Sequence, residues 1–387
     1  MTDQRTPTEV QADAAARAGQ LQEARRLLEQ VVAQSPDRQQ AWVKLAAMCR
    51  ASGDLPAGLS ALSRALALDP LDFSALLAKA MLLEKTGATA AAGEAYGHAL
   101  AQRPLPGQEP PALKPMLAHA EDRWRAHQSA VLESMRGSLE QQKLSGEEQV
   151  KLERFCSNIA RITKPYSQQP THFHYPGLPV YEFHPRSLFP WIETLEAAAH
   201  EIRAEFHALL ASEAAELAPY VQYPDDVPLR QWQALNHSRD WTAIHLLRLG
   251  DRVEKNARHC PRTLELINSL PIPRVRGRSP TAMFSLLAPR TNIPAHNGVD
   301  NSRLVVHLPL VVPPNCSFRV GAETRQWEAG NAFVFDDTIE HEASNGSDEV
   351  RVVLIFDVWA WALSEAERNA IASVIVASNP DPAAAAL

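Results

Sequence analysis

HNGVDNSRLVVHL, the stretch at residues 296–308, decides the fold of the C-terminal half of this chain. Its second half alternates with a period of two, which is typical of a β-strand. The alternation places Arg303, Val305 and His307 on one face and the apolar residues between them on the other. We therefore expect a strand here that presents two ionisable side chains on the same face.

A second apolar stretch, VRVVLIF at residues 350–356, carries a cation. Alternation puts Arg351 on the same face as Val353 and Ile355. A cation in the middle of an apolar strand is costly unless it meets an anion, so Arg351 is expected to face a carboxylate inside the domain. Short apolar runs broken by proline and glycine continue through this region, and they predict a β domain over residues 165–365.

The N-terminal third repeats with a period of 34 residues. The repeated positions are Gly19, Gly53 and Gly87 among the glycines, and Pro36, Pro70 and Pro104 among the prolines. This period is typical of tetratricopeptide helix pairs, in which glycine lies at the turn between two helices and proline ends the second one. The sequence therefore predicts three repeats over residues 5–104, which form an all-α solenoid. Together with the C-terminal β domain, this makes the whole chain an α+β protein of two domains.

The segments that flank the two predicted domains have their own composition. Residues 105–164 begin with a proline-rich connector and continue with charged, helix-favouring sequence, which predicts linking helices. Residues 366–387 predict a terminal helix and a loose, alanine-rich tail. Two hypotheses remain for the repeats. Either their concave groove recruits a protein or peptide, or the solenoid supports or dimerises the rest of the chain.

Charge and composition exclude several classes of function. The chain has 387 residues, a net charge of −7 and 45% hydrophobic residues, which is ordinary for a soluble two-domain protein and unsuited to nucleic acid as the main partner. Its cysteines lie far apart, so neither a zinc knuckle nor a disulfide framework is expected. The N-terminus is polar and no apolar run approaches about 18 residues, so we expect no signal peptide, no membrane span and a cytoplasmic location.

Two histidines carry the chemistry. His296 opens the first stretch quoted above, and His341 follows 45 residues later in FDDTIEHEA at residues 335–343. Neutral imidazole is a good ligand for Fe(II), and two such ligands leave positions open for a co-substrate and O₂. These two segments resemble the metal-binding segments of the aspartyl/asparaginyl β-hydroxylase family, and the resemblance covers about residues 165–365.

The resemblance implies a double-stranded β-helix, which is a jelly-roll or cupin-like fold, and an Fe(II)- and 2-oxoglutarate-dependent oxygenase. It implies that His296 and His341 are the metal ligands and the catalytic centre. It also implies co-substrate contacts from Ser285, His307 and Arg351, with Arg351 gripping the far carboxylate of 2-oxoglutarate. In this family the co-substrate is decarboxylated to succinate and CO₂ while O₂ supplies the oxygen of the new hydroxyl group.

Two positions depart from the patterns of related oxygenases. Gly298 stands where most iron oxygenases of this architecture have a third, carboxylate ligand, and the family is similar in leaving that place to water. Asp337 either holds this water or serves in a turn. Val305 stands where family members often have an arginine that contacts the co-substrate, and either Arg303 or Arg290 would supply the charge.

Three functions follow from these patterns. The first is a hydroxylase of Asp, Asn or similar side chains in a protein or peptide, because animal members of the family act on such substrates and the repeats favour a macromolecule. The second is a hydroxylase of a lipid acyl chain or a small molecule, as in some bacterial relatives. The third is a tetratricopeptide scaffold whose β-helix domain is catalytically silent.

Overall fold

The structure, a computed structural model, describes residues 6–105, 109–212, 214–224 and 226–378. The chain divides into two compact units, Met1–Thr163 and Lys164–Leu387. The first is helical and the second is built on antiparallel sheets, which confirms the predicted fold class. The predicted loose tail after residue 378 lies outside the described residues.

The first unit is a series of helices. Those described are α1 (Pro7–Arg17), α2 (Leu21–Gln34), α3 (Gln39–Ala51), α4 (Leu55–Leu68), α5 (Phe73–Lys85), α6 (Thr89–Leu100), α7 (Lys114–Leu139) and α8 (Gly146–Ile159). The pairs α1–α2, α3–α4 and α5–α6 coincide with the predicted repeats. Helices α7 and α8 lie in the segment predicted to hold linking helices.

Local chemistry sets the helix boundaries in the repeats. The side chains of Asp54 and Asp72 cap α4 and α5 by accepting hydrogen bonds from backbone N–H groups three residues later, at 3.1 and 2.9 Å. Gly53 has a φ of +82°, which glycine adopts without strain, and this turns the chain from α3 into α4. The recurring small residues Ala46 and Ala80 are buried, so neighbouring helices approach closely there.

The second unit combines short helices with two sheets. The helices are α9 (Ile192–Ala197), α10 (Ala199–Ala211), α11 (Glu254–Ala257), α12 (Pro261–Ser269) and α13 (Glu365–Ser378). The strands are β1 (Ala218–Pro219), β2 (Trp241–Arg248), β3 (Asp251–Arg252), β4 (Ala282–Leu287), β5 (Thr291–His296), β6 (Arg303–Val311), β7 (Cys316–Val320), β8 (Glu323–Gln326), β9 (Phe333–Phe335), β10 (His341–Asn345) and β11 (Arg351–Trp359).

Antiparallel pairing organises these strands into two sheets. The larger sheet has the order β1-β2-β4-β11-β6-β9, with β3 added on β2, and the smaller has the order β5-β10-β7-β8. Strands distant in sequence are neighbours in both sheets, as in the predicted jelly-roll arrangement. The predicted strand at residues 303–308 is the first part of β6.

Strand β11 shows how the larger sheet separates core from cavity. Every residue of β11 is buried. Leu354 and Phe356 point to an apolar core shared with α9, α10 and α12, while Val353 and Ile355 point to a second core between the sheets. Arg351 is not in the middle of this strand, as the apolar run suggests, but is its first residue, because Val350 is 41% exposed and precedes the sheet.

The four cysteines of the sequence all lie within the described residues, where they are buried and free. Among the described residues, no helix is both long enough and apolar enough to cross a membrane.

Candidate active site

His296 and His341 meet where two neighbouring strands come together. His296 ends β5, His341 begins β10, and the two residues are register partners with ring centroids 4.0 Å apart. The Nδ1 of His296 lies 2.7 Å from the Pro294 carbonyl oxygen, and the Nδ1 of His341 lies 3.0 Å from the Ile339 carbonyl oxygen. Because a carbonyl only accepts hydrogen bonds, each Nδ1 donates a proton, which leaves each Nε2 lone pair free for a metal.

Burial keeps both imidazoles neutral. It lowers the pKa of His296, and it lowers the pKa of His341 well below its usual value, with the neighbouring His296 acting in the same direction. A neutral imidazole is the form that binds metal ions. Among the described residues, no set of three or more His, Cys, Asp or Glu side chains is arranged to hold a metal. The pair therefore suits a site that leaves positions open for exogenous ligands.

The histidine pair lies on the wall of a cavity of about 670 Å³ in the β domain. The structure brings the other predicted site residues to the same cavity, whose lining includes Ser285, Arg303, Val305, His307 and Arg351. These residues come from β4, β6 and β11 of the larger sheet, whereas the histidine pair comes from the smaller sheet. The cavity thus brings the polar faces of both sheets together.

Arg351 is a buried cation that meets no anionic side chain among the described residues. Its side chain is 1% exposed, it forms no ion pair with any residue that the structure describes, and its Nε has no hydrogen-bond partner. The guanidinium group lies 4.8 Å from the ring centre of Trp327. Burial lowers the pKa of Arg351 to about 10, so the group remains charged at neutral pH. Since a buried charge is costly unless it is paired, an anionic ligand in the cavity would lower that cost.

Ser285 and His307 lie on the strands at either side of β11. The Ser285 hydroxyl accepts a hydrogen bond of 3.0 Å from Trp241 Nε1, so its own proton remains available. Trp327 Nε1 donates to His307 Nδ1 at 3.4 Å, which assigns the ring proton of the neutral imidazole to Nε2. Burial, followed by the charge of Arg351, lowers the pKa of His307 well below its usual value. Both residues therefore keep a donor for an anion.

Asp337 explains why residue 298 is a glycine. The Gly298 N–H donates to the Asp337 carbonyl at 2.6 Å, and a Cβ on residue 298 would lie 2.2 Å from the Asp337 carboxyl carbon. The Asp337 carboxyl group therefore occupies the space that a side chain at residue 298 would need. Its Oδ1 has no hydrogen-bond partner among the described residues, and burial raises its pKa to about 7.

The two arginines considered as substitutes at Val305 have different surroundings. Arg290 lies in an exposed turn, outside the lining of the cavity, and pairs with Asp348 at 2.8 Å. Arg303 lines the cavity, but its guanidinium contacts Asp357 at 2.6 Å and Asp337 at 3.6 Å. Its charge is thus balanced by carboxylates of the protein, unlike that of Arg351.

Three residues of this site are not among those predicted from the sequence. Trp327 is a buried core residue that also contacts both His307 and Arg351. The Trp232 ring meets His296 edge-on at 4.9 Å, from a segment for which no element is predicted. Asp357 has the same strand parity as Arg351, so the alternation pattern could have placed it on the cavity face.

Comparison with known proteins shows which families and relatives the chain is similar to. Residues 196–360 match the family model described as Aspartyl/Asparaginyl beta-hydroxylase, and residues 15–79 match a tetratricopeptide repeat model. Over 182 residues the chain is 36% identical to the ornithine lipid ester-linked acyl 2-hydroxylase of Rhizobium tropici, covering 46% of this chain and 59% of that relative. Over 153 residues it is 32% identical to the aspartyl/asparaginyl beta-hydroxylase of Homo sapiens, covering 39% of this chain and 19% of that relative.

This chain therefore spans 59% of the length of one relative and 19% of the other. Among solved structures, it is similar to the type III secretion chaperone SycD of Yersinia enterocolitica in complex with a peptide of the translocator YopD. That likeness has 15% sequence identity and a TM-score of 0.29, and it covers 32% of this chain and 91% of the chaperone.

Proposed function

We propose that this chain is an iron(II)- and 2-oxoglutarate-dependent hydroxylase, and the match of residues 196–360 to the Aspartyl/Asparaginyl beta-hydroxylase model supports the proposal. The single observation that carries the proposal is the cavity itself. It combines two adjacent neutral imidazoles with a buried arginine that has no counter-ion among the described residues. A metal and a dianionic co-substrate would satisfy both features at once.

The donor set fits an iron(II) ion. His296 and His341 would hold it through their Nε2 atoms, while the Pro294 and Ile339 carbonyls fix the ring orientation. With 2-oxoglutarate and O₂, the bound ion supplies the oxidising chemistry that inserts oxygen into a C–H bond, as the co-substrate is converted to succinate and CO₂.

The co-substrate fits the remaining polar groups of the cavity. Arg351 would pair with the carboxylate of 2-oxoglutarate that lies away from the metal, with Ser285 and His307 donating hydrogen bonds beside it. With the co-substrate bound, the aromatic and aliphatic walls would exclude water, which would strengthen these contacts.

Asp337 and Arg303 form a second layer around this site. The free Oδ1 of Asp337 suits the role of holding a water molecule in the place of a third protein ligand. Arg303, held between Asp337 and Asp357, would orient the Asp337 carboxylate rather than bind the co-substrate directly. This role differs from the one expected from the sequence, in which Arg303 would contact the co-substrate in place of the arginine missing at Val305.

Two substrate classes have support. The likeness to the relative from Homo sapiens supports Asp, Asn or similar side chains of a protein or peptide as the substrate. The concave face that tetratricopeptide repeats generally form would recruit such a chain. A lipid acyl chain fits the relative from Rhizobium tropici and the apolar part of the cavity wall.

An anaerobic titration tests the proposal without a known substrate. Fe(II) is added to the protein with and without 2-oxoglutarate, and metal binding and the visible charge-transfer absorption of the chelated co-substrate are measured. We expect one iron per chain, together with an absorption band that develops only when 2-oxoglutarate is present. Iron that binds without such a band, or equally well to His296→Ala, would overturn the proposal.

A further inference from the structure

The cavity continues well beyond the groups that the proposed chemistry uses. Arg351 and Trp359 are the first and last residues of β11, and both line the cavity. At roughly 3.3 Å per residue they are separated by about 26 Å along the strand. The end near Trp359, here called the outer arm, is also lined by Arg248, Leu249, Val275 and Arg278.

Backbone hydrogen bonds hold the parts of the outer arm together. Gly250 lies in the turn that follows Arg248, the last residue of β2, and its N–H donates to the Pro280 carbonyl at 3.0 Å. This joins the end of β2 to the loop that carries Arg278. The Trp359 N–H donates to the Pro271 carbonyl at 2.9 Å, which ties the end of β11 to the segment leading into the same loop.

The outer arm presents two arginines whose charge the described protein does not balance. Neither Arg248 nor Arg278 forms an ion pair with any part of the chain that the structure describes. The Nη2 of Arg278 is buried and has no hydrogen-bond partner there, although its guanidinium lies over the Phe173 ring at 5.6 Å. A buried donor without an acceptor costs free energy unless a ligand supplies one.

A second buried polar atom in the same wall is also unsatisfied. His245 lies on β2, three residues before Arg248, and its buried Nδ1 has no partner within the described ranges. These unsatisfied groups distinguish the outer arm from Arg303, whose charge is already balanced by Asp357. The outer arm therefore combines two buried polar atoms that lack a partner with two arginines that form no ion pair with the described residues.

Apolar side chains surround these donors. Among the described residues, the apolar side chains that line the cavity next to the two arginines are those of Phe173, Leu249, Val275, Trp359 and Ile375. Val275 and Ile375 are 3% and 5% exposed, so only the small part of each side chain that lines the cavity is open to a ligand. A polar ligand alone would leave this surface in contact with water, whereas a ligand with an apolar segment would cover it.

We propose that the outer arm binds the anionic headgroup of an amphiphilic substrate. Arg278, helped by Arg248, holds a carboxylate or phosphate group, and the apolar walls hold the hydrocarbon segment joined to it. The inference rests on the proposed hydroxylase function, because it names the substrate class of that same cavity. It favours an acyl chain with an acidic headgroup over the side chain of a peptide.

Octyl phosphate, octanoate and octanol are suitable probes, and isothermal titration calorimetry on the full chain measures their binding. We expect octyl phosphate to bind, and Arg278→Ala to weaken it by about tenfold or more, since a charge-assisted hydrogen bond contributes roughly 1.5–3 kcal/mol. Arg278→Lys should recover part of the affinity, and octanol binding should not change. Arg276→Ala is the matched control, because Arg276 is exposed in the same loop and does not line the cavity.

The comparison of octyl phosphate with octanoate identifies the headgroup. Binding of the probes needs no metal, so His341→Ala should bind them as the wild type does. A failure of the proposed iron chemistry can therefore be distinguished from a failure of the proposed headgroup site. Equal affinity of the wild type and Arg278→Ala for octyl phosphate would overturn the proposal. The proposal would also fail if 2-oxoglutarate displaced the probe and Arg351→Ala no longer bound it, because the probe would then occupy the co-substrate site. It would fail as well if inorganic phosphate bound as tightly as octyl phosphate, because the apolar walls would then contribute nothing. An Asp-containing peptide that binds the arm where octyl phosphate does not would overturn it in favour of a peptide substrate.

Discussion

Arg351 is held where the described residues offer it no negative charge. Its neighbours are aromatic and apolar, and its burial makes the charged form costly enough to lower its pKa. Such a residue destabilises the ligand-free fold, and a bound carboxylate reverses that cost. The loss of folding stability and the gain in carboxylate binding that Arg351 causes can both be measured.

Arg351→Met keeps much of the side-chain volume and removes the charge. We expect the free energy of unfolding of the ligand-free protein to rise by on the order of 1 to 3 kcal/mol, because an unpaired buried cation is lost. Binding of 2-oxoglutarate should weaken by roughly 2–5 kcal/mol, with iron affinity largely kept. Urea unfolding and calorimetry measure the two effects.

Arg290→Met is the control for this substitution, because Arg290 is 65% exposed in its side chain and lies outside the cavity lining. It should change stability by less than about 0.5 kcal/mol and leave co-substrate binding intact. If Arg351→Met binds 2-oxoglutarate as the wild type does, the carboxylate is held by another residue.

His184 gives a second prediction at this scale, on pH. Burial lowers its pKa from the usual 6.5 to about 4, and its Nδ1 accepts a hydrogen bond of 3.2 Å from Trp361 Nε1. Between these two pH values the unfolded chain takes up the proton and the folded chain does not, so stability falls on acidification from about pH 6.5 to 4. The slope from this group is at most about 1.4 kcal/mol per pH unit.

His184→Asn retains an acceptor for Trp361 and removes the titration. We expect a flatter dependence of the urea midpoint on pH between about 7 and 4.5 than in the wild type, whatever constant cost the smaller side chain adds. A slope as steep as that of the wild type would assign the acid sensitivity to other groups.

Individual site residues differ in how far the sequence predicts their environment. Arg351 could be assigned to the cavity because alternation and the cost of a buried charge depend only on nearby residues. The balance of Arg303 by Asp357 depends on the pairing of β6 with β11, which residue spacing does not reveal. The fit of Gly298 against Asp337 likewise depends on a contact between segments that are distant in sequence.

Among the elements, the repeat helices follow most directly from local sequence. Their caps and turns depend on residues within one helix pair, which is why the 34-residue period predicts them well. The sheets are different, because β11 pairs with β4 and β6, both from other parts of the chain. Periodicity predicts strands there, but the order of the strands follows only from the resemblance to a known family.

Two glycine substitutions test the assignment of the turns. Gly53 has a φ of +82° and no atom lies within 4 Å of the place that a Cβ would take, so Gly53→Ala costs only backbone strain, on the order of 1–2 kcal/mol. Gly137 lies inside α7 with equally open surroundings, so Gly137→Ala should stabilise by roughly 0.5–1 kcal/mol. Thermal unfolding followed by helical circular dichroism should move in opposite directions for the two variants. A shift of the same sign would contradict the turn assignment.

At the scale of the whole molecule, each unit has hydrophobic clusters of its own. The clusters of the first unit contain buried residues from Ala12 to Ala120, and those of the second from Phe183 to Ile375. A unit with its own core is expected to fold without the other. The site residues all belong to the second unit.

A chain that begins at Lys164 should therefore unfold cooperatively and still convert 2-oxoglutarate slowly to succinate. If the repeats recruit a macromolecular substrate, this truncation should slow turnover of that substrate far more than the background reaction. Equal rates for the full and truncated chains on a genuine substrate would leave the repeats a supporting or dimerising role. Loss of the background reaction in a folded truncated chain would contradict the independence of the β domain.

The most direct test of the proposed iron centre is the formation of succinate from 2-oxoglutarate by the wild type and by His341→Ala. We predict succinate from the wild type only when Fe(II) and O₂ are present. His341→Ala should have no activity above background but unchanged thermal unfolding, because the core does not need the metal. Iron-dependent succinate formation at the wild-type rate by His341→Ala, or its absence from the iron-loaded wild type, would contradict the proposed iron centre.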